Sequence, residues 1–284
     1  MKFFYFAVIP LLLNACAFSA LKADLTFSNS APVDSAGATF MGTNTASSSL
    51  HTTLTFSGDL TETNTATFAS EARFLVDGTH AYQVTNVNGF TGTASVNTVS
   101  NGLFWAPQTQ GSVSVATFEQ TDDGNDGVAD ASWSNVDFEL SGMPNVIDIG
   151  DLNLAMGFVF DTEGSTILDT EIAAYNFDGT LIAQNDDGGT GNLSSLNLGS
   201  LAFGTYYIVA GDYDVTFEQY QATTIGTDVG DLNLNLNGAN VHTENLDPGE
   251  LVALRFRVVP VPEPACTSLL TIILLSLVLS RPRS

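Results

Sequence analysis

The stretch that decides the fold class is LDTEIAAYNFDGTLIAQNDDGG, residues Leu168–Gly189. Apolar residues alternate with polar ones on both sides of Asp178-Gly179, a dipeptide typical of tight turns. This pattern predicts two antiparallel strands with one face in a core. We expect Ile172, Ala174 and Phe177 to face that core. Leu181 and Ile182 would begin the returning strand.

The same two-residue period recurs elsewhere in the chain. Further alternating segments are Leu50–Phe56, Ser112–Phe118 and Leu232–Asn237, and further turn signals are Ser57-Gly58, Asp77-Gly78, Asn88-Gly89 and Asn101-Gly102. No convincing amphipathic helix interrupts them. Many short strands separated by turns predict an all-β body of antiparallel β-sandwiches or jelly rolls.

The chain divides into four expected segments. These are a signal peptide (1–23), an N-terminal β-sandwich (24–142), a second β-sandwich (143–259) and a C-terminal tail (260–284). Trp105, Trp133 and several Phe residues are expected to fill the core of the first sandwich, and Tyr206 and Ile208 are expected to share one side of a strand in the second.

The N-terminus has the parts of a secretory signal peptide. Lys2 supplies a small positive region, Phe3–Leu13 is an apolar segment, and small residues around Cys16 suit a cleavage site. We therefore expect a signal helix that signal peptidase removes. Lipidation at Cys16 stays open, because Asn14 fits a lipoprotein processing box poorly.

The C-terminus has three parts in a fixed order. Pro262, Glu263 and Pro264 precede an apolar run from Leu269 to Leu279, and Arg281 and Arg283 follow it. A helix over that run is only about 16 Å long, which is short for a stable membrane span. Arginines beyond the run would stay on the cytoplasmic side, so the body would lie outside.

This tripartite tail resembles the PEP-CTERM sorting domain of bacterial envelope proteins. The resemblance implies that the tail pauses in the inner membrane and that an exosortase-like membrane enzyme cuts near Pro262, Glu263 and Pro264. The body would then reach the cell envelope or the extracellular matrix. The alternative is an ordinary single-span tail anchor preceded by a proline linker.

Acidic residues dominate the mature body. The chain has 31 Asp and Glu against 7 Lys and Arg, and only Arg73, Arg255 and Arg257 lie between residues 24 and 260. This charge excludes nucleic-acid binding, which depends on Lys and Arg. It favours divalent cations, or it simply keeps an exported protein soluble. The two cysteines, Cys16 and Cys266, lie in the terminal segments, so the body has no disulfide.

The segment from Leu168 through Gly204–Gly211 resembles the bacterial pre-peptidase C-terminal type of β-sandwich. The matching parts are an Asp-Thr-Glu strand, an Asp-Gly hairpin, an Asn-Asp-Asp loop and a Gly-Thr-Tyr-Tyr strand. The resemblance implies a non-catalytic appendage for surface or polymer binding, in some members with structural calcium. Oxygen-bearing candidates for Ca²⁺ are Asp169, Glu171, Asn185, Asp186 and Asp187. A polar turn without a metal is the alternative for this loop.

A second acidic loop, residues 122–130, resembles the start of a calcium loop. Asp122, Asp126 and Asp130 have ligand spacing, but Gly124 stands at the third position and Trp133 at the twelfth. We expect either a weak calcium site or a solvated hairpin tip.

Three functional hypotheses follow. The first is a non-catalytic structural or adhesive protein of the cell surface or matrix. The second is a carbohydrate- or exopolysaccharide-binding module with a stacking platform chosen from Tyr82, Phe90, Trp105, Tyr207 and Tyr213; buried rings would argue against it. The third is a divergent glycoside hydrolase that uses paired carboxylates. We expect no enzyme, because His51, His80 and His242 lie on separate segments without a catalytic motif.

Overall fold

Backbone hydrogen bonds in the computed structural model arrange the described part of the chain as twenty β-strands in three sheets. The structure describes residues 25–29, 33–34, 39–44, 50–62, 72–84, 92–107, 111–119, 131–153 and 157–260. Over these ranges the chain is all-β, as predicted, and contains no helix able to span a membrane. The expected signal helix and C-terminal helix lie outside the described residues.

The first sheet has eleven strands, and every pair in it is antiparallel. Its strands are β1 (Leu25–Asn29), β2 (Val33–Asp34), β3 (Thr39–Asn44), β4 (Leu50–Glu62), β5 (Ala72–Val76), β6 (His80–Gln83), β7 (Thr93–Trp105), β8 (Gly111–Glu119), β9 (Ala131–Ser141), β16 (Val215–Glu218) and β17 (Gln221–Thr224). The order is β16-β17-β7-β4-β9-β1-β3-β8-β5-β6, with β2 paired to β9.

Two smaller sheets contain the rest of the second half. The five-stranded sheet has the order β10 (Val146–Asn153), β20 (Val252–Val259), β15 (Gly204–Asp212), β12 (Thr170–Asn176) and β13 (Leu181–Asn185). The four-stranded sheet has the order β14 (Ser195–Gly199), β11 (Phe158–Asp161), β18 (Gly230–Leu236) and β19 (Ala239–Leu246). Strands β10 and β20 run parallel, and the other pairs are antiparallel.

The first core forms on the predicted period of two. Leu54, Phe56 and Leu60 of β4 are fully buried, and the ring of Phe56 meets Trp133 edge-on at 5.0 Å between centroids. The turn predicted at Ser57-Gly58 is wrong, because Gly58 lies inside β4. A Cβ atom there would stand 3.2 Å from Trp133 Cε3, so this glycine makes room for the indole.

The turn predicted at Asn101-Gly102 is also wrong. Gly102 lies within β7, where β17 approaches closely, and a Cβ atom on it would stand 2.2 Å from the Ala222 carbonyl oxygen. Asp77-Gly78, in contrast, forms the predicted turn between β5 and β6, with positive φ at both residues.

The second core draws on facing side chains of the five-stranded and four-stranded sheets. Ile172, Ala174, Tyr206 and Ile208 lie in it, as the sequence predicted. Members from the other sheet include Phe158, Phe160, Leu232 and Leu234.

Two apolar side chains of the hairpin formed by β12 and β13 do not point into this core. Phe177 is 52% exposed because it lies beyond the last residue of β12. Ile182 is 38% exposed, beside a register shift between β12 and β13. The core prediction was therefore wrong for Phe177.

A third core joins the two halves of the chain. Trp105 of β7 is buried, as predicted, but against second-half residues: its ring stacks on Tyr175 at 4.5 Å and meets Tyr207 edge-on at 5.9 Å. The other members include Val209 and Ala253. The central strands β12 and β15 are thus buried on both faces, which explains the unbroken burial of Tyr206–Asp212.

The hairpin of β16 and β17 belongs to the second half in sequence but to the first sheet in space. Gln221, Ala222 and Thr223 pair with β7. Arg73 of β5 donates to Glu218 at 3.3 Å, so the hairpin also contacts the far end of the first sheet. The two halves therefore share one sheet and one core.

Candidate metal centre

Three of the predicted cation ligands converge at the open end of the β12–β13 hairpin, opposite its Asp178-Gly179 turn. Asp169 precedes β12, and Asp186 and Asp187 follow β13. Because Ile172 pairs with Asn185 across the hairpin, the two segments arrive side by side. A carboxylate oxygen from each of Asp169, Asp186 and Asp187 lies within 4.8 Å of the others.

Asp169 is fixed by the segment that leads into β14. It forms an isolated bridge with Asn192, whose side-chain amide donates to Asp169 Oδ2 at 3.2 Å. Thr170 N–H donates to the Asn192 carbonyl oxygen at 3.1 Å. The carboxylate therefore has a defined position before any ligand binds.

A buried hydroxyl network holds the acidic loop from beneath. The single hydroxyl hydrogen of Ser194 is shared between the carbonyl oxygens of Thr170 and Asp186, and Ser194 N–H donates to Thr162 Oγ1 at 2.8 Å. Thr162, Thr170 and Ser194 are all fully buried. Nothing in the sequence marks this network, because a Ser or Thr at the end of a strand or in a loop carries no signal of burial.

Asn185 holds the loop rather than facing the carboxylates. Its Oδ1 atom accepts from Gly188 N–H at 2.7 Å and from Ser195 N–H at 3.2 Å. A Cβ atom on Gly188 would stand 2.4 Å from that oxygen, so glycine is required there. With both donors on its oxygen, Asn185 is a positioning residue, and its role as a calcium ligand stays a prediction.

Glu171 lies near Asp186 and Asp169 and contacts the hairpin of β16 and β17, which we call the donated hairpin because the second half contributes it to the first sheet. Its carboxylate accepts hydrogen bonds from the backbone N–H groups of Asp214 and Val215, at the start of β16. Burial first, then the negative charge of Asp186, raises the pKa of Glu171 to about 7, and Asp169 adds a smaller effect. Glu171 thus links the acidic loop to the shared sheet.

Mutual repulsion is also visible at Asp186. Loss of some hydration at this largely exposed carboxyl group, and then the charges of Asp187 and Asp169, raise its pKa above the usual range. A divalent cation would relieve this repulsion, and three carboxylates offer the hard oxygen donors that Ca²⁺ prefers. The donor set therefore fits a calcium ion held by Asp169, Asp186 and Asp187, with carbonyl oxygens or water completing the coordination.

The remaining predicted site residues fall elsewhere. Asp122, Asp126 and Asp130 of the second acidic loop lie outside the described residues, as do the sorting residues Pro262, Glu263, Pro264, Arg281 and Arg283.

Most of the rings proposed for a sugar-stacking platform are in the interior. Tyr82 and Trp105 are fully buried and Tyr207 is 8% exposed, while Tyr213 is 38% exposed. Phe90 lies outside the described residues. Tyr82 donates its hydroxyl hydrogen bond to the Trp105 carbonyl oxygen, which is a structural contact.

The histidines remain on separate strands. His51 is buried in β4, His80 packs its ring on Tyr220 at 4.2 Å, and His242 of β19 pairs with Glu244 at 3.0 Å. No protein-family model, curated protein or solved structure matches the chain.

Proposed function

We propose that this protein is a non-catalytic, exported structural protein of the cell envelope or extracellular matrix. Its body is two β-sandwiches packed through the five-stranded sheet and stabilised by calcium. The second sandwich, formed by the five- and four-stranded sheets, carries the resemblance to pre-peptidase C-terminal domains.

The observation that carries the proposal is the placement of the large rings. Trp105, Tyr82 and Tyr207 are the side chains that a sugar-binding module would display, and here they fill the interior and join the halves. Aromatic rings used in this way strengthen a scaffold, so they support a structural role over an exopolysaccharide-binding platform.

The acidic loop supplies the second part of the proposal. Asp169, Asp186 and Asp187 would hold a calcium ion, Asn185 would keep the loop in shape, and Glu171 would connect the site to β16. The ion would neutralise carboxylates that otherwise repel one another, and would thereby stabilise the fold.

Delivery to the surface would use the two terminal signals. Signal peptidase would remove residues 1–23, and the apolar run Leu269–Leu279 would hold the chain transiently in the inner membrane. An exosortase-like enzyme would then cut near Pro262–Pro264, as the resemblance to PEP-CTERM tails implies. The body would finish in the envelope or outside the cell.

Cell fractionation tests this route. In native cells the wild-type body is expected in the envelope or medium, whereas a chain with Pro262, Glu263 and Pro264 replaced by alanine is expected to remain in the membrane pellet. A variant with Thr243→Ala on exposed strand β19 is the control and should fractionate like the wild type. Identical distributions for all three chains would contradict sorting through the motif.

A further inference from the structure

The C-terminal tail departs from a defined end of the five-stranded sheet. The described chain ends at Pro260, two residues beyond Val258, and Val258 pairs with Gly204 at the first residue of β15. Phe203 directly precedes Gly204, so it lies at the same end of the sheet.

Phe177 lies at this end as well. Asn176, the last residue of β12, pairs with Tyr206 near the start of β15, and Phe177 is the next residue along the chain. The loop 199–204 connects β14 to β15 at this end. The turn between β18 and β19, where Leu236 pairs with Ala239, lies at the same end. We call residues 176–178, 199–204, 236–239 and 259–260 the exit end.

The exit end displays two large aromatic side chains to solvent. Phe203 is 61% exposed and Phe177 is 52% exposed. In the part of the chain that the structure describes, no other phenylalanine is among the exposed large hydrophobic residues. The acidic end also exposes apolar side chains, but Leu168, Ile225 and Val229 there are aliphatic, whereas a membrane interface attracts aromatic rings in particular.

The exit end is also poor in charge, although the body as a whole is strongly acidic. Its four segments contain one ionisable side chain, Asp178, with Asp77 of the first half near it across His80. Next to Val258, Arg257 and Asp151 form an ion pair, which adds no net charge. The strand register places Thr170, which pairs with Asp212, and Gly230, which pairs with Leu246, at the opposite end of the same sheets. That end is strongly acidic. Acids at or next to those positions are Asp169, Asp186, Asp187, Asp212, Asp214, Asp228, Asp247 and Glu250.

The tether to the apolar tail is short. Eight residues, 261–268, separate Pro260 from the first residue of the run Leu269–Leu279. Even fully extended, they span at most about 28 Å. If the run sits in the bilayer, the exit end must stay close to the headgroups, while the acidic end is repelled by anionic lipid.

We propose that the exit end is a membrane-facing surface, in which Phe203 and Phe177 enter the headgroup region of the bilayer while the tail is inserted. The occupant of this surface is a lipid bilayer. The inference rests on the proposed membrane insertion of the tail, and adds that the body docks in one orientation. Docking would hold the linker 261–268 along the membrane surface, where a membrane enzyme can reach it.

Site-specific tryptophan fluorescence tests the proposal in the full chain. Phe203→Trp and Val229→Trp are compared in vesicles of phosphatidylethanolamine and phosphatidylglycerol with brominated acyl chains. Phe203 and Val229 are both 61% exposed, but Val229 lies at the acidic end, next to Gly230. The native Trp105 and Trp133 are buried in the protein, so they give a constant background.

Bromine is expected to quench the introduced indole of the Phe203→Trp chain about twofold or more, because interfacial rings sit only about 5–10 Å deep. The introduced indole of the Val229→Trp chain is expected to stay unquenched. Vesicle flotation of the same chains reports insertion of the tail separately. Chains that float but show equal quenching at both positions would overturn the docking surface and leave tail insertion intact. Chains that do not float would overturn tail insertion, and the docking surface with it.

Discussion

Glu171 shows how one carboxyl group joins two parts of the molecule. It accepts hydrogen bonds from the start of β16 and lies in the field of Asp186 and Asp169. The raised pKa of Glu171, about 7, means that the folded chain holds its proton over a range where the unfolded chain, with a pKa of about 4.3, has lost it. Stability therefore falls as pH rises from about 4.3 to 7, and is lower above that range.

The first prediction concerns this pH dependence. In EDTA, Glu171→Gln is expected to reduce the loss of thermal stability between pH 5 and pH 8, because the uncharged amide cannot ionise. Thermal unfolding followed by circular dichroism at both pH values measures it. Glu139→Gln on β9 of the first sheet is the matched control and should behave like the wild type. An unchanged pH dependence in Glu171→Gln would show that this group does not control it.

The second prediction concerns calcium removal. At pH 8, calcium is expected to raise the melting temperature of the wild type relative to EDTA; saturation at a hundred times Kd corresponds to about 2.7 kcal/mol. Asp186→Asn should lose most of the shift, because it removes a charge from the cluster. Asp231→Asn, on β18, should keep it, since the Asp231 carboxylate lies outside the cluster and accepts from the Asn245 amide at 2.8 Å. Equal calcium shifts in both variants would place the ion elsewhere.

The sequence could predict the cluster but not the roles within it. Asp169 and the Asp186-Asp187 pair flank a clear hairpin, so their convergence follows from strand pairing. The Asn185 side-chain oxygen accepts hydrogen bonds from Gly188 N–H and Ser195 N–H, and this depends on a loop conformation that has no sequence signature. The contact of Glu171 with β16 could not be predicted either, because it depends on where the hairpin of residues 215–224 packs.

At the scale of elements, β15 and the donated hairpin decide the architecture. β15 is buried almost throughout, with Tyr206 and Ile208 facing one core and Tyr207 and Val209 facing the other. The apolar run Tyr206–Ala210 is the sequence signal for a strand covered on both faces. The partner that covers the second face could not be predicted, because no local pattern specifies the pairing of β17 with β7.

The third prediction tests that pairing. Gly102→Ala is expected to destabilise the fold by about 1–3 kcal/mol, because the added Cβ would stand 2.2 Å from the Ala222 carbonyl oxygen and push β17 from β7. Urea unfolding measures the change. Gly157→Ala is the control: its Cβ would have nothing nearer than the Gly199 carbonyl oxygen at 3.5 Å, an ordinary contact. Equal free energies of unfolding for the two variants would mean that β17 can shift without cost.

At the scale of the whole molecule, the shared sheet makes the two halves interdependent. Trp105 lies under the Asp178-Gly179 turn, where a Cβ on Gly179 would stand 2.4 Å from Trp105 Cγ. The backbone N–H of Trp105 donates to the Tyr220 carbonyl oxygen at 2.9 Å, and the backbone N–H of Tyr220 donates to the Gly179 carbonyl oxygen at 2.8 Å. The sequence predicted two halves, but not that one would complete the sheet of the other.

The fourth prediction follows from this interdependence. Calorimetry of the wild type is expected to show one cooperative transition, and Trp105→Ala is expected to shift the whole transition down, at a cost of about 3–5 kcal/mol. Val229→Ala, an exposed position, should leave it unchanged. Two separate transitions, of which Trp105→Ala moves only one, would show that the halves unfold independently.

The central claim is that an interlocked, non-catalytic β-body is exported and then released from its C-terminal membrane tail. The most direct test is the intact mass of the extracellular protein from native cells, for the wild type and for the chain with Pro262, Glu263 and Pro264 replaced by alanine. We predict a wild-type C-terminus near residue 262, and loss of that product in the variant. A mass that ends at Ser284 in both chains would contradict the claim and leave a membrane-anchored body.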